Sequence, residues 1–265
     1  MSDVKADIDR TRPRRGPAMA IHHLLAIPVY NEESYVRGVL AQASRFSRHI
    51  LVIDDGSTDA TPRLLDRQRA IQVITHRENR GYGQSLADAF SFARRHGFDW
   101  LITMDCDEQH EPQSIPRFLE AAARNEADII SGTRYPTGRI VEASVPRDRR
   151  NINRRITELL NCRLGLNITD AFCGFKAYRV AALHHLCITV PGYAMPMQFW
   201  VQAARAQLRI EELEIRLIYH DPTRHFGGLL DDPRVRFAHY VEVFERELAA
   251  AGVPASADAD CLPCP

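Results

Sequence analysis

The chain has 265 residues, with 34 Lys plus Arg against 34 Asp plus Glu and a formal net charge of zero. That balance excludes a general nucleic-acid binder, which carries a basic excess, and an acidic disordered chain. With 45% hydrophobic and 26% charged residues and a mean hydropathy of −0.29, the composition is that of a globular protein able to bury a core without staples. No run approaches the ~20 apolar residues that a membrane helix needs.

Residues 1–20 mix Asp3, Asp7 and Asp9 with Arg10, Arg12, Arg14 and Arg15 and have no apolar stretch, so they read as a disordered arm and not a secretory signal. From His22 short apolar runs alternate with helical periodicity. His22–Val29 is a buried strand, and Val36, Val39, Leu40 and Ala43 fall on one helical face. His49–Ile53 is a second strand, and Thr61-Pro62 opens a short helix because Pro suits the first helical position. Gln72–Thr75 is a third strand, followed by a helical face of Leu86, Ala89, Phe90 and Ala93 that Gly97 ends. Trp100–Met104 is a fourth strand, then a helix carries Phe118, Leu119 and Ala122, and Asp128–Ser131 is a fifth strand. This alternation predicts a mostly parallel sheet with helices on both faces.

After Arg134 the pattern loosens. Arg134–Arg150 reads as a loop, Asn151–Leu164 as a helix, Gly174–Tyr178 as short and extended, Met197–Gln207 as a helix and Arg209–Tyr219 as a strand. Phe237, Val241, Phe244 and Leu248 mark a last helix within Val235–Leu248. No repeat or linker divides the chain. The expectation is one α/β domain over residues 21–250, a ligand-binding half over 21–134 and an acceptor half over 135–250, with a flexible tail at 251–265. The six cysteines read as reduced core thiols, with Cys261 and Cys264 a feature of the tail.

Ligands of open α/β sheets bind beyond the carboxyl ends of the strands. Four successive strand ends carry polar clusters: Pro28-Val29-Tyr30-Asn31-Glu32, Asp54-Asp55-Gly56-Ser57-Thr58-Asp59, Asn79-Arg80-Gly81-Tyr82-Gly83, and Asp105-Cys106-Asp107-Glu108-Gln109-His110. One such cluster is explained by capping and turn formation; four on one sheet edge point to a site. Asp105 and Asp107 leave a buried strand two residues apart and repel each other unless a cation lies between them or one is protonated. Hard oxygen ligands of this kind, with Gln109 adding a neutral oxygen, suit Mg²⁺ or Mn²⁺ bridging a diphosphate. Gly81 and Gly83 match a dinucleotide fingerprint poorly, since Leu86 holds the third glycine position; they allow close backbone approach to a ligand.

These residues as a set resemble GT-A-fold glycosyltransferases of family 2, and within it most closely the dolichyl- or polyprenyl-phosphate mannose or glucose synthases. The resemblance runs from about Leu25 to Arg179. It rests on Pro28-x-Tyr30-Asn31-Glu32, Asp54-Asp55-Gly56-Ser57-Thr58-Asp59, Asn79-x-Gly81-x-Gly83, Met104-Asp105-x-Asp107-x-Gln109-His110, Ser131-Gly132-x-Arg134 and Asp170-x-x-Cys173-Gly174-Phe175-Lys176-x-Tyr178-Arg179. It implies a Rossmann-like, nucleotide-sugar-binding domain and inverting transfer of a hexose from GDP-mannose or UDP-glucose to a polyprenyl-phosphate acceptor. Pro28, Tyr30 and Glu32 would line base and ribose, and Asp54 or Asp55 would bind them. Asp105 would sit near ribose and metal, Asp107 and Gln109 would hold Mg²⁺ or Mn²⁺ on the diphosphate, and Arg134 and Arg224 would contact phosphates.

Two departures bear on the acceptor. Where such synthases show Arg-x-x-Gly-x-Ser-Lys, this chain has Arg224-His225-Phe226-Gly227-Gly228-Leu229-Leu230, without Ser or Lys. Many relatives also carry C-terminal membrane helices, and no such run is present here. Against this, Arg147, Arg149, Arg150, Arg154 and Arg155 crowd one stretch opposed only by Asp148, which suits an anionic lipid surface or an acceptor phosphate. The expected location is cytoplasmic, with peripheral attachment to a membrane. A phosphate acceptor needs no base, whereas a hydroxyl acceptor does, and Asp170 is then the candidate. The competing readings are a glycosyltransferase acting on a small-molecule or protein hydroxyl and a catalytically silent nucleotide-sugar-binding module.

Overall fold

The computed structural model describes residues 21–107, 110–136, 146–216, 218 and 228–252. β1 (His23–Val29), β2 (Ile50–Asp54), β3 (Gln72–Thr75) and β4 (Trp100–Thr103) follow the apolar runs of the sequence. β5 (Ile129–Thr133), β6 (Lys176–Arg179) and β7 (Ile210–Glu214) complete a sheet in the order β3-β2-β1-β4-β6-β5-β7. All pairs are parallel except β4–β6 and β5–β6, because β6 runs the other way between them. The insertion of β6 brings the segment before it, residues 170–175, alongside the carboxyl end of β4. Alternation alone did not foresee the reversed strand.

Successive strand residues serve two cores. Leu24, Ala26, Leu51 and Ile53 face one side, packed under α3 (Tyr82–Arg95), α5 (Arg147–Leu164), α6 (Met195–Arg205) and α7 (Pro233–Ala250). Leu25, Ile27, Val29 and Val52 face the other, under α1 (Val36–Ala43) and α4 (Ile115–Ala123). The short α2 (Thr61–Leu65) has Pro62 in its first turn, as its sequence requires. β1 and β2 are buried on both faces, which is why they read as unbroken apolar runs.

Several boundaries differ from the sequence reading; α6 and α7, for example, each begin two residues earlier, at Met195 and Pro233. α5 begins at Arg147 and not at Asn151, so the arginine-rich stretch is a first helical turn and not a loop. Its four residues carry no apolar side chain, so periodicity could not detect them, while Asp148 favours a helix start there. β7 stops at Glu214, where its partner β5 ends at Thr133. Cys106, Cys173 and Cys187 are free, but Cys162 is disulfide-bonded, contrary to the expectation of reduced thiols throughout. The proposed arm and most of the tail also lie outside the described residues.

Candidate active site

The loops after β1 and β2 are zipped together. Asn31, at a positive φ of 56°, accepts hydrogen bonds through Oδ1 from the backbone N–H of Thr58 (2.8 Å) and Asp59 (3.3 Å). The Glu32 N–H donates to Thr61 Oγ1 at 2.8 Å, and the Ala60 N–H donates to Glu33 at 2.9 Å. Tyr30 is left 45% exposed at the rim, and Glu32 is buried beneath it. Asp54 and Asp55, the last residue of β2 and the next, are both buried. Asp54 accepts the N–H of Ser57 at 3.0 Å, closing the Gly56 turn. Asp55 accepts the N–H groups of Arg80 and Gly81, each at 2.8 Å, and so holds the loop before α3.

That loop delivers Tyr82 and Gly83. The Gly83 N–H donates to the Pro191 carbonyl at 2.6 Å, and a Cβ at Gly83 would run into the Val190 carbonyl and the Met195 side chain, so only glycine fits. Burial, together with the nearby Asp105 charge, raises the Tyr82 phenol well above its ordinary range.

Asp105 leaves β4 with its side chain about one-third exposed. Its N–H donates to His110 Nδ1 at 3.1 Å, so that nitrogen acts as an acceptor. Burial pushes the His110 pKa down to about 4, consistent with a neutral ring. The Asp105 carboxylate rests on Gly174: a Cβ there would lie 2.6 Å from Oδ1 and 2.8 Å from Cγ. The Cys173-Gly174-Phe175 segment is thus the floor under the carboxylate. Among the described residues no three His, Cys, Asp or Glu side chains converge closely enough to hold a metal ion. Asp105 and Asp107 supply two hard carboxylates, a donor chemistry that fits Mg²⁺ or Mn²⁺, and Gln109 lies outside the described residues.

In the segment before β6, Asp170 is fully enclosed. Arg134 Nε donates to Oδ2 at 2.7 Å and Nη2 to Oδ1 at 2.9 Å, a two-point ion pair, and Asn153 adds a hydrogen bond of 2.7 Å. Burial alone would raise this carboxyl, but Arg134 and Asn153 bring it down to about 2. Arg179, at the end of the same motif, pairs with Asp128 at 3.0 Å and not with Asp170. Glu212 of β7 accepts the N–H groups of Thr169 (2.9 Å) and Asp170 (3.2 Å), which fixes this segment to the sheet. Lys176 lies buried beside it, its Nζ donating to the Cys173 carbonyl. A pocket of about 320 Å³ opens next to this network, where Arg150 and Tyr135 meet Asn153 and Thr169.

The five arginines of the sequence reading lie on α5. Arg154 pairs with Glu158 at 2.9 Å, and the Arg155 guanidinium stacks 4.1 Å over Phe237. Asp148 pairs with the buried Arg236 of α7 at 2.7 Å, an acid withdrawn from the cluster that a linear reading counted as opposing it. Arg224 lies outside the described residues. The structure therefore brings Asp54, Asp55, Gly83, Asp105 and Asp107 to one sheet edge and Arg134 with Asp170 to its neighbour. Tyr82 and Lys176 stood in the quoted motifs without an assigned role, and Asn153 and His76 were not foreseen. His76 immediately follows β3, and a polar residue at that place in the chain is the signal that could have found it.

A profile described as glycosyl transferase family 2 matches residues 25–187. An undecaprenyl-phosphate mannosyltransferase of Micrococcus luteus is 31% identical over 82% of this chain and 93% of that protein. A polyprenol monophosphomannose synthase of Mycolicibacterium smegmatis is 28% identical over 72% of this chain and 76% of its own length. Among solved structures, glucosyl-3-phosphoglycerate synthase from Mycobacterium tuberculosis in complex with phosphoglyceric acid superposes with a TM-score of 0.66 at 19% identity, covering 89% of this chain and 82% of that one. At that identity the likeness shows the shared GT-A fold.

Proposed function

The chain belongs to glycosyl transferase family 2 and is a glycosyltransferase, and from that premise we propose that it moves a hexose from GDP-mannose or UDP-glucose to a polyprenyl-phosphate acceptor, with inversion. The observation that carries the acceptor is the state of Asp170. Its oxygens are engaged by Arg134 and Asn153 and its pKa is held near 2, so it is a poor proton acceptor. A phosphate acceptor is already an anion and needs none. The names of the most similar relatives, an undecaprenyl-phosphate mannosyltransferase and a polyprenol monophosphomannose synthase, support the same chemistry.

In this reading an acceptor phosphate oxygen attacks the anomeric carbon, the bond from that carbon to the diphosphate oxygen breaks, and the nucleoside diphosphate leaves. Tyr30, Glu32 and Pro28 frame the nucleoside, and Asp54 and Asp55 hold the loops that enclose it. Asp105, Asp107 and Gln109 hold Mg²⁺ or Mn²⁺, which when bound neutralises the charge growing on the leaving diphosphate. Arg134 and Arg224 would contact phosphate groups. Arg147, Arg149 and Arg150 meet anionic head groups or the acceptor phosphate. No helix among the described residues is long and apolar enough to cross a membrane, and this arginine-rich turn supplies peripheral attachment for a cytoplasmic enzyme.

The departure at Arg224–Leu230, which lacks Ser and Lys, favours a second reading in which the acceptor is a hydroxyl. Labelled GDP-mannose and UDP-glucose, each with Mn²⁺, offered to polyprenyl phosphate and followed by butanol–water partition separate the two: label in butanol supports the lipid acceptor, label confined to water removes it. Asp107→Ala is expected to lower transfer at least ~100-fold, the size of a lost group that stabilises transition-state charge. Full activity and full metal-dependent nucleotide binding in that variant would remove the assignment of Asp107.

A further inference from the structure

His76 is 7% exposed and stands between two carboxylates from different elements. Its Nδ1 is 2.6 Å from Asp55 Oδ1 at the end of β2, and its Nε2 is 2.8 Å from Asp88 Oδ2 on α3. A neutral imidazole has one N–H and one lone pair, so it satisfies only one of these contacts and turns its lone pair on the other carboxylate. A ring with two N–H groups satisfies both. The remaining groups are already committed: Gln84 Nε2 donates to Asp88 Oδ1 at 3.2 Å, and Asp55 accepts the N–H groups of Arg80 and Gly81.

The loop held in this way has little freedom. A Cβ at Gly56 would lie 2.5 Å from the Glu78 carbonyl carbon, and Gly81 takes a φ of +95° against Pro191. The next residue is Tyr82, whose phenol lies in reach of the Asp105 charge. A continuous hydrogen-bonded path therefore runs from Asp88 through His76 and Asp55 to the backbone of Arg80 and Gly81, next to Tyr82.

We propose that His76 is a positioning residue of the donor site: an imidazolium clamped between Asp55 and Asp88 that holds the Arg80–Tyr82 segment in the geometry that receives a nucleoside diphosphate. This rests on the reading of the sheet edge as a nucleotide-sugar site.

Two measurements test it. Long-range ¹H–¹⁵N spectra of the ligand-free full chain at pH 7 are expected to show both His76 ring nitrogens protonated. A ring with a single proton, the missing proton residing on a carboxyl, overturns the clamp. Calorimetric titration with GDP and with UDP, each with Mn²⁺, reads the second half. Whichever nucleotide binds the native chain is expected to bind about tenfold more weakly to His76→Gln and about threefold more weakly to Asp88→Ala. Because both act through one clamp, the double variant binds no more weakly than His76→Gln alone. Unchanged affinity in His76→Gln, or effects that add in the double variant, overturn the positioning role. If His76→Gln does not fold, Asp88→Ala and the ring spectra decide. If neither nucleotide binds the native chain, the donor-site reading and the positioning role fall together, while the ring spectra still report on the clamp.

Discussion

Single residues at the site act mainly by fixing other residues. Gly174 shows this most directly, because its missing side chain is the space the Asp105 carboxylate occupies. Gly174→Ala forces that carboxylate away from its place or moves the backbone beneath it. The expected outcome is a loss of at least tenfold in kcat/KM with a small change in Tm, measured by transfer kinetics and thermal unfolding; a displaced charged group costs rate steeply. Asp170 supports a prediction about acid stability. Its folded pKa of about 2 lies below the ordinary carboxylate value near 3.9. The unfolded chain therefore takes up a proton before the folded one does, so the contribution of the Arg134–Asp170 pair is complete above about pH 4 and is lost as pH falls toward 2. Asp170→Asn is expected to flatten the fall of stability across that window, followed by urea midpoints at successive pH values. The sequence marked Asp170 and Arg134 separately; only the fold shows that each is the other's partner, because they lie 36 positions apart and meet through the reversed strand β6.

Among the elements, α5 and α7 are joined by the Asp148–Arg236 pair. α7 starts two residues before the Val235 of the sequence reading: Pro233 occupies the first turn and Asp232 caps it, accepting the N–H groups of Arg234 (2.7 Å) and Val235 (3.3 Å). Asp232→Ala is expected to cost about 1 kcal/mol, a fall in Tm of about 2–4 °C, read by differential scanning calorimetry. The start of α5 was less legible, because its first turn is arginine and aspartate with no apolar residue. Its anchor is tertiary: Asp148 pairs with Arg236, and Arg236 also donates to the Leu230 carbonyl at 2.9 Å. Periodicity recognises an element by the face it buries, and it is blind to a turn held by charge pairing with another helix.

At the scale of the whole molecule, zero net charge conceals a division. Acidic side chains occupy the carboxyl ends of β2 and β4, and arginines crowd the first turns of α5. Replacing Arg147, Arg149 and Arg150 by Glu is expected to abolish co-sedimentation with vesicles rich in anionic lipid, and raised salt is expected to weaken binding of the native chain in the same assay. Salt-independent binding, or binding kept in the reversed variant, removes this face as the attachment site.

The sequence by itself determined the strands β1 to β5, the buried runs that make the sheet, and the four polar strand ends where chemistry gathers. It could do so because a buried strand and its polar exit are local patterns of neighbouring residues. Tertiary structure alone decided that β6 enters the sheet reversed, that Gly174 supports Asp105, that Asp170 is held by Arg134, and that His76 stands between Asp55 and Asp88. Each of these joins residues far apart in the chain or on separate elements, where burial removes water and a charged group is tolerated only beside its partner. Which groups become partners is a property of the folded arrangement, and no window of the sequence contains it.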